Sequence, residues 1–508
     1  MESNNDKKVL LRITNLKQWF PLSHGRFVKA NDGITIDIYE GETFGLVGES
    51  GCGKSTLGRT ILQVYKQTDG RTMYYGRTRE EFCPEYVRST IKNLDSLRKN
   101  MIKLEEKRDK YIAEYEKLSD EEQLEKTEEL RKVKKEAEDA MLDITTIVGG
   151  FVIADDLKPI SNQYLKITDL SKKLRDLEEK KQDKEMTLAD VEYEYKENPA
   201  DGERNINAAK AAVAAVDQEI DKVKADLEAE HQVLEKMREP LRADERFEKY
   251  EAMRDDGIDL ARLKYEEMRK LRRDLQLIFQ DPYSSLNPRM SVGQIIGEGL
   301  FSHNYFKKNS PRMQDEILRI MDMCGLAPYF VHRYPHQFSG GQRQRIGIAR
   351  SLAMNPKFVV CDEAVSALDV SIQSQIINLL SDLKEQQNLT YMFITHDLSV
   401  VKYISDRIGV MYLGNVVELA ESQELFDHPL HPYTEALLGA IPTTDVNQSR
   451  ELQILEGDIP SPVDPPKGCK FHTRCQYCTE ICQKVTPEWE EVRPNHFVAC
   501  HHLLEKNM

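Results

Sequence analysis

The stretch TFGLVGESGCGKSTLGRTIL, from Thr43 to Leu62, constrains this chain more than any other. An apolar run meets glycines at 48, 51 and 53, then Lys54 and Ser55, then apolar residues at helical spacing. The pattern G-x-x-x-x-G-K-[ST] demands a buried strand, a tight loop and a helix. Gly48, Gly51 and Gly53 allow the backbone to approach a ligand with no Cβ in the way. The loop N–H groups of Glu49, Ser50, Gly51, Cys52 and Gly53, with those of the first helical turn to Thr56, then form an anion nest. Lys54 would reach the β- and γ-phosphates, and the Ser55 hydroxyl would serve Mg²⁺. Such a chain binds a nucleoside triphosphate. The loop alone does not say what the energy drives.

The chain has 508 residues, which leaves room for two or three domains. Its formal charge is −15, so no basic surplus points to nucleic acid. The beginning, MESNNDKKVLLRITNL, lacks the charged-then-apolar layout of a secretory leader. No apolar run is long enough to span a bilayer. The expectation is a soluble chain, or one that reaches a membrane only through partners. Of nine cysteines, five fall in the last forty residues. With a phosphate loop upstream, that clustering suggests a reducing cytoplasm and a local metal or cluster site rather than disulfides.

A second informative region begins at Leu275. LQLIFQ reads as a strand ending in Gln280, followed by a Pro/Asn/Ser-rich loop. FSGGQ (Phe338–Gln342) holds a second glycine turn, at Ser339, Gly340 and Gly341, opening a helix. A buried strand, Phe358–Cys361, ends in the acid pair Asp362 and Glu363. SALD follows at Ser366–Asp369, and a further strand ends in His396. This ordered set resembles the nucleotide-binding subunit of ATP-binding cassette (ABC) transporters. FSGGQ resembles the family signature, usually LSGGQ. Gln280 resembles the Q-loop glutamine, Asp362-Glu363 the Walker B pair, SALD the D-loop and His396 the switch histidine. The resemblance implies an α/β P-loop NTPase cassette with a RecA-like core, an antiparallel β subdomain and a helical signature subdomain. Asp362, Ser55 and Gln280 would then serve Mg²⁺, Glu363 would polarise the attacking water and His396 would contact the γ-phosphate. Ser339, Gly340, Gly341 and Gln342 would cradle the ATP held by a second subunit. Phe338 stands in place of the usual Leu, and Ala364 where Pro often follows the glutamate; neither removes a reactive group. An aromatic near the start would stack on adenine, Phe20 fitting best and Trp19 second.

The tail narrows the resemblance. DHPLHPYTEALLGAIP (Asp427–Pro442) resembles the C-terminal extension of oligopeptide and dipeptide importer ATPases. Cys469, Cys475, Cys482 and Cys500 fall at spacings similar to that subfamily's four-cysteine set, with Cys478 a fifth. Four thiolates suit Fe–S or zinc, and the subfamily suggests [4Fe–4S]; reduced thiols without a metal are the alternative. LRRDLQLIFQDPYSSLNPRMSV and LDVSIQSQIINLL are similar to the F-type subunit of oligopeptide permeases. That resemblance implies a D-type ATPase partner, two transmembrane permease subunits, an extracytoplasmic peptide-binding protein, no nucleic acid, and a place on the cytoplasmic face of the membrane.

Gln280 lies 226 residues after Lys54, where the family needs a few dozen. The excess places an insertion at 77–254, between cassette segments 8–76 and 255–425, with the extension at 426–508. The insertion holds 35 basic and 45 acidic residues and three glycines, the composition of long charged helices. Leu94, Leu97, Met101, Leu104, Tyr111, Tyr115 and Leu118 follow heptad steps, as do Ile167–Val191 and Ile206–Met237. ENPADGE (Glu197–Glu203) reads as the turn of an antiparallel hairpin. A coiled coil within a cassette also fits a DNA-maintenance ATPase. Three features oppose that class: the insertion precedes Gln280, no C-x-x-C marks its apex, and the tail is of importer type. A translation factor of the soluble ABC type needs two cassettes, and one is present.

Overall fold

The computed structural model describes residues 7–196, 199–440 and 457–504. The chain divides into two compact units. One comprises the described residues of Met1–Gly76, Asp259–Ala261 and Tyr265–Met508; the other comprises Arg77–Ile258 and Arg262–Lys264.

The first unit carries two sheets. In the smaller, strand Val9–Pro21 pairs antiparallel with Phe27–Tyr39 on one side and Asp69–Tyr74 on the other. Leu11, Ile13 and Leu16 face its buried side, with a register shift between Ile13 and Leu16 that keeps both inward. The larger sheet has five neighbouring strands in parallel: Leu275–Ile278, Phe358–Asp362, Thr390–Ile394, Thr43–Val47 and Arg407–Tyr412. Thr43–Val47, Phe358–Asp362 and Thr390–Ile394 are buried at every position, as expected of strands covered on both faces. Asn415–Glu421, His496–Val498 and Glu490–Arg493 continue the sheet antiparallel, so part of the cysteine-rich tail is woven into it. The join is a buried carboxylate. Glu418 accepts from Leu430 N–H (2.7 Å), His431 N–H (3.0 Å) and the His496 ring (2.8 Å). Helices Val292–Ser302, Pro311–Met323 and Gly340–Leu352 bury Ile295, Ile296, Ile317, Ile346 and Ile348 in a common apolar cluster.

The second unit is helical. Leu94–Tyr115 packs with Asp120–Val148, and Lys158–Glu194 with Pro199–Arg238. Cross-helix partners give the direction. Lys107 meets Glu136 at 2.8 Å and Tyr111 meets Glu129 at 2.9 Å; Gln163 meets Glu230 at 2.7 Å and Lys181 meets Asp217 at 2.7 Å. As one number rises the other falls, so both pairs are antiparallel. Leu94, Met101, Ile167, Leu177, Val216, Ile220, Val223, Leu227 and Leu234 are all buried, on the heptad positions read from the sequence. The helix Asp120–Val148 is an addition to that reading. Its buried stripe runs through Val133, Ala137, Ala140, Ile144, Ile147 and Val148, and the two alanines blunt the apolar signal. Phe151 centres a compact core with Ile91, Ile144, Val148, Leu157 and Ile160. Gly150 makes room there, because a Cβ would stand 2.3 Å from the Phe247 ring. Residues 197–198 of the expected turn, 441–442 at the end of the importer-like stretch, and the MESNND beginning lie outside the described residues.

Candidate functional site

The phosphate loop is built by two close backbone approaches and one side-chain hydrogen bond. Gly48 has φ +150° and a Cβ there would stand 2.1 Å from the Met411 carbonyl oxygen. Gly53 has φ +103° and a Cβ would stand 2.1 Å from the Ala30 carbonyl oxygen. Both positions exclude every other residue on sterics and conformation together. Asn31 adds a bond from Nδ2 to the Gly53 carbonyl, 3.1 Å. The helix Lys54–Ile61 starts directly after the loop, putting Ser55 and Thr56 in its first turn. Lys54 is buried, and its ammonium donates to the Gly48 and Glu49 carbonyls at 2.8 and 3.0 Å. The cation is thus held at the loop rather than extended into solvent.

Asp362 ends its strand fully buried. One oxygen, Oδ2, pairs with Arg59 Nη2 at 3.0 Å; the other, Oδ1, is buried without a hydrogen-bond partner. A carboxylate oxygen left bare in the interior is costly, and a hard cation or its water is the chemistry that relieves it. With the Ser55 hydroxyl on the adjoining loop helix, the donor set fits Mg²⁺.

Glu363 adopts φ +47°, a conformation that costs a non-glycine residue about 1–2 kcal/mol. Its N–H holds to the Ile394 carbonyl (2.9 Å), and its carbonyl accepts from the Ser366 hydroxyl (3.0 Å). The turn throws the carboxylate toward two other predicted residues. Gln280 Nε2 donates to Oε2 at 2.6 Å, and His396 Nδ1 lies 3.5 Å from Oε1. The strands before Gln280 and His396 stop at Ile278 and Ile394, two residues earlier than the sequence reading placed them. Both side chains therefore stand on loops past the strand ends, exposed and able to reach Glu363.

Ser339 caps the helix Gly340–Leu352: its hydroxyl accepts from Gln342 N–H, and the Gln342 side chain accepts from Ser339 N–H at 3.1 Å. The expected glycine turn is thus a capped first helical turn, with Gly340 and Gly341 at helical φ. Ser339 and Gly340 are exposed. Phe338 is buried edge-on against Phe330, with ring centroids 5.0 Å apart. Asp369 caps Val370–Gln387 through Ile372 N–H. Near the start, Phe20 meets Tyr65 edge-on at 5.3 Å. Trp19 is bracketed by Lys17 and Lys29 and hydrogen-bonded to Asp32.

The tail cysteines are neighbours. Cys469 N–H donates to the Cys482 carbonyl, and burial pushes the Cys469 and Cys500 thiols up to about 11 and about 12, nearby thiols adding to the effect. Among the described residues, however, no three His, Cys, Asp or Glu side chains are disposed to hold a metal ion. The donor chemistry suits a cluster and the arrangement of the side chains does not. Sequence reasoning missed Arg59, Tyr433 and Arg474 at this site. Their contacts cross hundreds of residues, and no local pattern signals them.

Comparison with known proteins follows this geometry. The ABC transporter family model matches residues 31–255 and 245–366. This chain belongs to the ABC transporter ATP-binding family. The model for the oligopeptide/dipeptide transporter C-terminal region matches residues 417–482 of the cassette chain. The oligopeptide transport ATP-binding protein AppF of Bacillus subtilis is 53% identical over 250 residues, 48% of this chain and 75% of its own length. The putative oligopeptide transport ATP-binding protein YkfD of the same organism is 34% identical over 496 residues, 97% of this chain and 95% of its own. OppF of Salmonella typhimurium is 50% identical over 246 residues, 48% of this chain and 73% of its own. Among solved structures, the dimeric cassette MJ0796 gives a TM-score of 0.43 at 16% identity, covering 81% of this chain and 99% of that one. As ABC ATP-binding proteins do, the cassette hydrolyses ATP. Among the described residues, no helix is long and apolar enough to cross a membrane.

Proposed function

We propose that this chain is the ATP-hydrolysing subunit of a peptide importer. The observation that carries the reading is the meeting of Gln280 and His396 on the Glu363 carboxylate, next to the bare buried oxygen of Asp362. Phosphoryl transfer needs positioning and charge stabilisation more than covalent chemistry. Lys54 and the loop N–H groups from Ser50 to Thr56 grip the phosphates; the Glu49 N–H, expected to join them, donates to the Tyr433 hydroxyl instead. Glu363 orients the attacking water and takes the proton it loses on attack. His396 moves from Glu363 to the γ-phosphate, and Gln280 follows the water. Mg²⁺, when bound, neutralises phosphate charge; Ser55, Gln280 and Asp362 would hold it. Phe20 stacks on adenine. Ser339, Gly340, Gly341 and Gln342 serve the nucleotide of a second ATPase subunit, so that ATP closes the dimer and hydrolysis releases it.

The peptide cargo rests on the relatives, which are named as oligopeptide or peptide import proteins, and on the match of the tail region. We infer a D-type ATPase partner, two membrane permeases and an extracytoplasmic peptide-binding protein, with this subunit on the cytoplasmic face of the membrane. Residues 8–76 and 255–425 form the nucleotide-binding domain, 77–254 an inserted pair of antiparallel coiled coils, and 426–508 the extension. Cys469, Cys475, Cys482 and Cys500 are the ligand set an iron–sulfur cluster would use; no step is assigned to it. Anaerobic purification with iron and sulfide analysis, in wild type and Cys475→Ser, tests that part. The main test is purification of the assembly from membranes. Peptide-stimulated ATPase activity with co-purifying permeases supports the reading. Stimulation by DNA in place of peptide overturns it in favour of a DNA-maintenance ATPase.

A further inference from the structure

The segment from Cys469 to Cys475 puts three anchors, Lys470, Phe471 and Arg474, on the supports of the phosphate loop. Arg474 forks onto Glu49, Nη1 to Oε2 at 2.8 Å and Nη2 to Oε1 at 3.1 Å. Its side chain is only 5% exposed and lies over the Tyr412 ring. Phe471 packs against Tyr412 and Tyr433, with centroids 5.2 and 5.4 Å away. The Tyr433 hydroxyl in turn accepts Glu49 N–H at 2.9 Å. The Lys470 ammonium bonds Asp32 and the Leu413 carbonyl, each at 3.2 Å, and the Asn415 side chain. Asp32 follows Asn31, the residue that holds the Gly53 carbonyl. Glu49 is therefore tied to the tail directly, and Gly53 at one remove, through Asn31 and its neighbour Asp32.

We propose that Arg474 is a positioning residue for the nucleotide site, and that the cysteine-flanked segment carrying it is a strap that sets nucleotide affinity. This rests on the reading of the loop as the ATP site. Two physical effects act together. The bidentate fork fixes the loop at Glu49, so its N–H groups need no ordering when phosphate arrives. It also neutralises a carboxylate that would otherwise stand on a loop built to receive a polyanion. Lysine keeps the charge but not the fork, so it replaces arginine only in part.

The test uses the full-length chain with ATP, reading KM and kcat separately along with thermal unfolding. Arg474→Ala should raise KM about tenfold, the order expected for a lost charged hydrogen bond, and leave kcat within about twofold. Arg474→Lys should fall between it and wild type. The double variant Glu49→Gln with Arg474→Ala should regain part of the affinity, because the bare carboxylate is gone; a purely structural role for Arg474 predicts no such recovery. Unchanged KM in a folded Arg474→Ala chain overturns the proposal. So does a KM defect that neither Arg474→Lys nor the double variant relieves. If Arg474→Ala does not fold, Arg474→Lys and Glu49→Gln decide, and wild-type KM in both overturns it. Lys54→Ala is the control for the underlying reading. If it binds ATP normally, the loop is not the nucleotide site, a result distinct from failure of the strap alone.

Discussion

The nucleotide site of the cassette and the paired long helices of the second unit place charge differently. In the cassette, Glu42 and Arg407 are buried as a pair, and Asp362 and Arg474 are buried against the half-buried partners Arg59 and Glu49. In the helical unit, Lys107 with Glu136 and Lys181 with Asp217 lie on the outside of paired helices. Buried charges are expensive and survive only with partners placed in advance. Exposed ones are nearly neutral for stability and keep a helix soluble and unassociated with its neighbours. The contrast teaches where each region's specificity resides. The cassette's sequence is constrained residue by residue, and the helical unit's mainly by the spacing of its apolar stripe.

The largest effect that can break this comparison is catalytic. Glu363→Gln should lower ATP turnover about 10²- to 10⁴-fold with ATP binding retained, because it removes the group that takes the water's proton while keeping its shape. Steady-state hydrolysis beside nucleotide binding reads it, and wild-type turnover would remove Glu363 from the reaction. Next comes the buried pair. Glu42→Gln leaves the Arg407 guanidinium without a counter-charge at a fully enclosed site, and should cost about 3 kcal/mol in denaturant unfolding. Lys181→Ala, which breaks an exposed pair on the helical unit, should leave the unfolding midpoint unchanged. Similar losses from the two variants would erase the distinction between the regions.

Two histidines sharpen it further, with opposite signs. Burial holds His431 in the cassette down to about 4. Between about pH 6.5 and that value the unfolded chain binds a proton that the folded chain refuses. Its contribution is complete above pH 6.5 and lost on acidification, by up to about 3 kcal/mol. His431→Asn, which can still accept Tyr433 N–H, should flatten that part of the pH–stability curve. His231 in the helical unit is raised instead, by its hydrogen bond to Glu80 at 2.9 Å. Its contribution is complete below pH 6.5 and lost as pH rises through its folded value. His231→Gln should therefore change stability on the acid side and not at pH 9.

Much of the site was legible because its elements are local. The glycines at 48 and 53, the capping serine at 339 and the acid pair at 362–363 each announce themselves within a few residues. What stayed hidden is long-range or cancelled locally. Arg59 reaches Asp362 across 303 residues and Arg474 reaches Glu49 across 425, separations that no periodicity encodes. The strand ends beyond Ile278 and Ile394 were misjudged because Phe279 and Thr395 prolong the β-like composition into loops. Helix Asp120–Val148 was missed because two alanines stand in the middle of its buried stripe. The αL backbone of Glu363 had no sequence signal, since such turns normally call for glycine or asparagine.

The smallest expected effect is the most demanding test of the comparison. Replacing residues 77–254 with a short Gly/Ser linker should leave the affinity for ATP within about twofold. The apolar cluster around Ile346 and the one around Phe471 are built without any residue of that span. The clusters around Phe151 and around Val216 are built without any residue outside it. Each core therefore keeps its own buried surface when the other is removed, and burial of apolar area is the main term holding either together. The groups that serve phosphate, metal or water in the proposed chemistry, Lys54, Ser55, Glu363 and His396, all lie outside the deleted span, as do their hydrogen-bond partners Gly48, Gln280 and Ile394. What should change is any response that depends on the deleted surface. Its net charge of −10 disfavours anionic lipid and nucleic acid and favours a protein partner. The measurement is ATP binding by the shortened chain beside its assembly with permeases. A shortened chain that is folded but no longer binds ATP would make the helical unit part of the nucleotide site, and the division between a residue-constrained cassette and a pattern-constrained insertion would fail with it.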